Sequence, residues 1–154
     1  MRGESINAHT AKAHLLFETC RDRPSPVTTI GVGDGGNEIG MGQFAWELVA
    51  DAIGRFATGR IACRIATDFA LLAGVSNWAA YALALATARL RGSADLGRDW
   101  DERGERALVE AIVRQTDCVD GVTLRHEPTV DGLELAAYLG PLVEMRKLLR
   151  YSQR

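Results

Sequence analysis

Residues 27–42, Val-Thr-Thr-Ile-Gly-Val-Gly-Asp-Gly-Gly-Asn-Glu-Ile-Gly-Met-Gly, place six glycines within twelve positions directly after a β-branched run. Glycine loses more backbone entropy on folding than any other residue, so a loop this rich in it points to positive φ or to close approach of backbone N–H groups to a ligand. Asp34, Asn37 and Glu38 lie inside it. Two carboxylates and an amide on a bare, tightly turned backbone predict a small-molecule or metal site, because open α/β sheets receive ligands at the ends of their strands. One or two glycines would read as an ordinary turn. Six around three clustered polar groups shift the reading toward function.

The pattern along the chain alternates. A short helix is expected over 9–19, stopped by the prolines of Asp22-Arg-Pro-Ser-Pro26, and a strand over 27–32. Phe44, Leu48, Val49, Ala52 and Ile53 recur at helical spacing within 43–56. Ile61–Ile65 and Phe69–Ala73 are short apolar runs of strand type, joined through Thr67 and Asp68. A helix capped by Ser76 or Asn77 runs to about Leu90, with Arg89 and Arg91 complementing the dipole at its end. The charged, glycine- and serine-bearing stretch 92–104 reads as an exposed connection. Residues 107–114 are helical, 117–132 irregular or β with turns at Asp120-Gly121 and Asp131-Gly132, and 133–149 a final amphipathic helix interrupted by Gly140-Pro141. Alternating strand and helix signals predict an α/β fold, a mostly parallel sheet with flanking helices, over one domain spanning 1–154.

Composition narrows the function classes. A net charge of −2 provides no broad pull toward nucleic acid. The apolar segment 69–90 is broken by Gly74-Val-Ser-Asn77, so neither half reaches the length of a membrane span. Cys20, Cys63 and Cys118 are odd in number and widely spaced, which argues against a secreted disulfide framework and for a reducing cytoplasm. Lys12 and Lys147 are the only lysines, and neither stands in a recognisable motif, so pyridoxal phosphate has no Schiff-base partner. Gly31-x-Gly33-x-x-Gly36 formally matches a dinucleotide loop. Yet Gly40 and Gly42 delay the following helix, Asp34 would repel a pyrophosphate, and no acidic residue stands at the end of a second strand about twenty positions on, where a ribose would be met. No nucleotide cofactor is expected.

The acidic residues are the better lead. Asp34 and Glu38 in the loop, Asp68 at a strand end, and Asp120, Glu127 and Asp131 in the irregular stretch each follow or end a strand-like run. Converging carboxylates raise one another's pKa or recruit a cation, and an all-oxygen set suits Mg²⁺, Mn²⁺ or Ca²⁺. Asp34, Glu38, Asp68 and Asp131 form the expected cation set. The Asp-Gly pairs at 120–121 and 131–132 are also ordinary turn formers, and Asp34, Glu38 and Asp68 withstand that structural reading best. Ser76 and Asn77 either cap their helix or present its N–H groups to a substrate carboxylate. His126 in its charged setting reads as a surface residue, and no zinc site can be built from the three histidines.

Gly33–Gly42, Thr67-Asp68, Ala73-Gly-Val-Ser-Asn-Trp78, Val119-Asp-Gly-Val-Thr123 and Thr129-Val-Asp-Gly132 resemble, in order, successive signatures of the D-glutamate cyclase family, in its C-terminal cyclase domain. One departure is Ala79-Ala80, where the family pattern has Gly-Gly. The resemblance implies dehydration of D-glutamate to 5-oxo-D-proline, and it implies that this chain corresponds to the C-terminal half of that domain. It therefore predicts an incomplete sheet, made good by a missing N-terminal half or by homo-oligomerisation. Asp34, Glu38 and Asp68 are then the expected catalytic set, and Gly35, Gly36, Asn37, Ser76 and Asn77 the expected binders of the amino-acid substrate. Two other readings stay open at this level: a fragment or binding module without activity of its own, and a cation-dependent hydrolase of a phosphorylated substrate.

Overall fold

The computed structural model describes residues 8, 10–25, 27–53, 62–93 and 100–151. His9, Ile61 and 94–99, like the expected end of the 43–56 helix, lie outside the described residues. The elements are mixed α/β, with a small parallel sheet: α1 Ala13–Arg21, β1 Ile30–Gly33, α2 Trp46–Ile53, β2 Phe69–Leu72, α3 Ser76–Leu90, α4 Glu102–Gln115, β3 Thr129–Val130, β4 Leu133–Glu134 and α5 Leu135–Tyr151. Two compact units divide the chain, Met1–Ala79 and Ala80–Arg154, with the boundary inside α3.

In the first unit β1 and β2 pair in parallel, Ile30 opposite Phe69 and Gly33 opposite Leu72. Parallel neighbours need a long crossover, and 34–68 supplies it: the glycine loop, a 3-10 turn at Met41–Gln43, α2, and an extended return through 62–67. That return segment differs from the expected strand. It spends its hydrogen-bonding groups on the glycine loop, Cys63 N–H donating to Gly36 O at 2.9 Å and Ile65 O accepting the N–H groups of Gly40 and Gly42 at 2.9 and 3.2 Å. Close approach explains the glycines. A Cβ on Gly31 would stand 2.5 Å from Ile39 O and 2.6 Å from Gly40 Cα, so the loop folds back over β1 only because both positions lack side chains. α2 therefore starts at Trp46, later than the apolar periodicity suggests, since Met41–Gln43 is still turning the chain.

The opposite face of the strand pair is apolar and open. Ile30 and Phe69, side by side in the register, are 41% and 60% exposed, and Leu15 and Leu16 of α1 are also largely exposed. A parallel sheet ordinarily has both faces covered, so this unit has the character of an incomplete domain.

The second unit is organised on α5. Leu135, Tyr138, Leu139 and Leu142 are buried at the i, i+3, i+4, i+7 spacing of one helical face. Pro141 sits inside this helix, where its missing N–H withdraws a donor from Ala137 O. α4 begins five residues before its expected start because Asp101 caps it, Oδ1 accepting Gly104 N–H at 2.7 Å. That cap turns Glu105 inward. Its buried carboxylate accepts the hydroxyls of Tyr81 and Tyr138, the latter at 2.9 Å, and the indole N–H of Trp100 at 3.1 Å. Burial, then hydrogen bonding to Glu105, pushes the Tyr81 phenol well above its ordinary value. β3 and β4 form a hairpin through Asp131-Gly132, both at positive φ, as a two-residue turn of this composition requires.

Candidate functional site

β1 delivers Asp34 directly into the glycine loop, and its side chain crosses to the start of α3. Asp34 Oδ2 accepts the N–H of Ser76 at 2.6 Å. The first N–H groups of a helix have no partner within it and form the positive end of its dipole, so a carboxylate is the natural occupant. Ser76 and Asn77 were expected to cap the helix or to hold a substrate carboxylate. Instead, Asp34 satisfies Ser76 N–H, and Ser76 itself is already the first helical residue.

Glu38 turns back over its own loop. Its Oε1 accepts Gly35 N–H at 3.2 Å and its Oε2 accepts Gly36 N–H at 2.8 Å. Gly36 lies at φ 91, a conformation L side chains rarely adopt, and the two successive N–H groups converge on one carboxylate. A Cβ on Gly33 would stand 2.8 Å from Oε2, so that glycine, too, leaves room for this carboxylate. Gly35 and Gly36, expected as substrate donors, are thus engaged by Glu38. Asn37 is exposed at the rim, its Oδ1 lying 3.2 Å from the point where a Gly35 Cβ would stand.

Asp68 is elsewhere. It precedes β2 and sits beside Thr29 at the start of β1, Oδ2 accepting both the backbone N–H at 2.7 Å and the hydroxyl at 2.8 Å. In a parallel pair this is the amino end of the strands, whereas Asp34 follows the carboxyl end. Five residues of extended chain separate Thr29 from Asp34, about 16 Å at ~3.3 Å per residue. The backbone N–H and hydroxyl of Thr29 hold the Asp68 carboxyl below its ordinary range. The expectation that Asp68 joins Asp34 and Glu38 is corrected: it clamps the start of the sheet. Thr67 helps, buried, with its hydroxyl accepting Gly31 N–H at 3.1 Å and donating to Phe69 O at 2.6 Å. Asp131 lies in the second unit, at the β3–β4 turn with φ 51. Within the first unit, therefore, the proposed cation set shrinks to Asp34 and Glu38, whose carboxylates reach different donors. Among the described residues no three His, Cys, Asp or Glu side chains converge.

One residue near the loop has no signal in the sequence. Arg64 lies in the return segment, its backbone carbonyl only 2.2 Å from where a Gly42 Cβ would be, and its guanidinium stacks 4.9 Å from the Trp46 ring centroid.

The family described as D-glutamate cyclase-like, C-terminal, matches residues 1–146. The chain belongs to that family. The human protein named D-glutamate cyclase, mitochondrial, is 50% identical over 73 residues, which is 46% of this chain and 11% of the human protein. The chain thus spans only a small part of that relative's length.

Two of the D-glutamate cyclase-like signatures are a single structural knot. Asp120, 8% exposed, receives Val122 N–H at 2.7 Å and Thr123 N–H at 2.9 Å on Oδ1, and Thr129 hydroxyl at 2.8 Å and Gly132 N–H at 2.9 Å on Oδ2. Val119–Thr123 is thereby tied to Thr129–Gly132. Burial pushes the Asp120 pKa up, but the N–H groups of Gly132, Thr123 and Val122 and the Thr129 hydroxyl outweigh it and hold it at about 2. Of the remaining Asp and Glu in the irregular stretch, Glu127 is exposed and ion-paired with Arg125 at 3.3 Å. His126, the expected surface residue, reaches the end of α4, its Nε2 at 2.6 and 2.9 Å from the carbonyls of Val113 and Thr116.

Proposed function

We propose that this chain contributes the carboxylate-handling loop of a D-glutamate cyclase, which dehydrates D-glutamate to 5-oxo-D-proline. The observation that carries the reading is family membership across residues 1–146, together with an Asp34–Glu38 loop that is the only family signature combining two carboxylates with clustered backbone donors. In the reaction the α-amine attacks C5 of the γ-carboxyl group, a C–N bond forms, and one carboxyl oxygen departs as water. Three demands follow: a base for the amine proton, donors for the tetrahedral oxyanion, and a proton for the departing hydroxyl.

Asp34 is assigned the base, because its carboxylate reaches Ser76 N–H at the N-terminus of α3, a donor that the substrate's α-carboxylate would take over from it. Gly35 and Gly36 N–H groups are assigned the oxyanion, and Glu38, in protonated form, the delivery of a proton to the leaving oxygen. No step is assigned to Asp68, which stands at the other end of the strands.

The test is formation of 5-oxo-D-proline from D-glutamate by this chain and by a full-length relative carrying the same loop. Asp34→Asn should lower kcat by about two to four orders of magnitude, the range of general-base contributions, with far-UV dichroism unchanged. Full turnover by the Asn variant would remove Asp34 from the mechanism, and absence of any 5-oxoproline from the full-length enzyme would remove the reaction.

A further inference from the structure

We infer that the Gly35–Gly36 turn is a carboxylate-binding seat which Glu38 fills in the free protein and must surrender to a ligand carboxylate. The inference deepens the functional reading above by assigning the loop an autoinhibitory contact. It rests on that reading for the identity of the ligand, though not for the existence of the seat.

Three observations support it. The seat has already selected a carboxylate: two consecutive N–H groups each meet a different oxygen of Glu38, the pattern that recognises a carboxylate group as a unit. The turn is also anchored independently of its occupant. Gly36 O accepts Cys63 N–H, and Gly40 and Gly42 donate to Ile65 O, so the backbone retains its course when Glu38 leaves. Finally, the occupant is weakly held. Glu38 is only half-buried and forms no ion pair with a described Lys or Arg, in contrast to Asp120, whose four donors and burial fix it in place.

An internal occupant competes with a free ligand as though present at an effective concentration of about millimolar or above for so short a tether. A ligand carboxylate that displaces it binds more weakly than the seat allows.

The experiment follows the backbone amide signals of Gly35 and Gly36 in the full 154-residue chain by nuclear magnetic resonance. The probe is glutarate, which has two carboxylates and no amine to cyclise. In the wild type both amides should respond weakly to glutarate. In Glu38→Ala both should respond to glutarate, with an apparent affinity at least about tenfold tighter. Native positions of the Gly40, Gly42 and Cys63 amides report an intact loop in the first unit, and Glu38→Gln, which preserves side-chain volume, serves as the second variant with an intermediate gain. A folded Glu38→Ala whose Gly35 and Gly36 amides ignore glutarate would overturn the seat. Tighter binding of inorganic phosphate than of glutarate would overturn its assignment to carboxylates. Neither result depends on turnover, so failure of the cyclase reading and failure of the seat are separately visible; where D-glutamate is turned over, Glu38→Ala should bind it more tightly yet process it more slowly.

Discussion

Asp120→Asn is the substitution whose energetic effect the structure fixes most closely. The carboxylate is buried and accepts four donors, and its pKa stands at about 2 against 3.8 for an unhindered aspartate. The gap between those values corresponds to about 2 kcal/mol of stabilisation at neutral pH, at ~1.36 kcal/mol per tenfold change in the protonation equilibrium. Because the folded-state pKa is depressed, that contribution is complete above the unfolded value and is lost as pH falls through the folded one. Linkage leaves about half of it at pH ~3 and little at pH ~2. Asparagine keeps one acceptor for Val122 and Thr123 but turns an NH₂ toward Gly132 N–H, which resembles what protonation does to the aspartate. Urea unfolding of wild type and variant should therefore differ by about 2 kcal/mol at neutral pH and converge below pH ~3, with a melting-temperature loss of about 5–10 °C at neutral pH. A difference under ~0.5 kcal/mol at neutral pH, or one that stays constant into acid, would refute the assignment of the knot to ionised Asp120.

Asp68→Asn should lower the stability of the first unit, and the loss should diminish in acid, because this carboxyl too sits below its ordinary range when folded; glutarate binding in the Glu38→Ala background should be unchanged, and a loss of that binding would return Asp68 to the site. Glu105→Ala removes the buried carboxylate that accepts the Tyr81 and Tyr138 hydroxyls and the Trp100 indole N–H, and at about 1–3 kcal/mol for a lost buried acceptor the thermal unfolding midpoint should drop by at least about 3 °C; a drop under ~1 °C would count against the network. Sedimentation should show the chain self-associating through the open Ile30 and Phe69 face, with Phe69→Asp shifting it toward monomer; a wild-type monomer at high concentration would show that this face needs no cover.

How much the sequence discloses depends on how local the determining interaction is. The i, i+3, i+4, i+7 burial of α5 and the Asp131-Gly132 hairpin turn are local patterns and are legible residue by residue. The start of α4 is not, because Gly104 and the surrounding charges read as a connection, whereas Gly104 contributes the N–H that Asp101 caps. Asp68 illustrates a different blindness. A strand-end carboxylate has no direction until pairing is known, and the parallel register of β1 with β2 sends it to the end opposite Asp34. The glycine loop itself stands out in the sequence, but the occupants of its donors do not: Glu38 reaches Gly35 and Gly36 only because Gly36 takes a positive φ, and Asp34 meets Ser76 across a separation of 42 positions.

The candidate acids also differ in what they are free to do. A general base works best when its pKa lies near the operating pH, and a carboxylate that accepts several fixed donors is driven the other way. Asp120 at about 2, and Asp68 held low by Thr29, are therefore poor proton acceptors at neutral pH whatever their position in the fold. Their donors explain why aspartate is needed there without any chemistry. Asp34 and Glu38 differ in kind, since among the described residues each accepts backbone N–H groups alone, and of a sort that a substrate carboxylate would also seek: a helix N-terminus and a glycine turn. A dicarboxylate entering the loop would exchange partners with them, occupying the N–H groups while releasing the two side chains. On the proposed cyclase reading, Asp34 and Glu38 would rest in the free protein on the donors that a substrate's carboxylates take, and binding would set the two side chains loose.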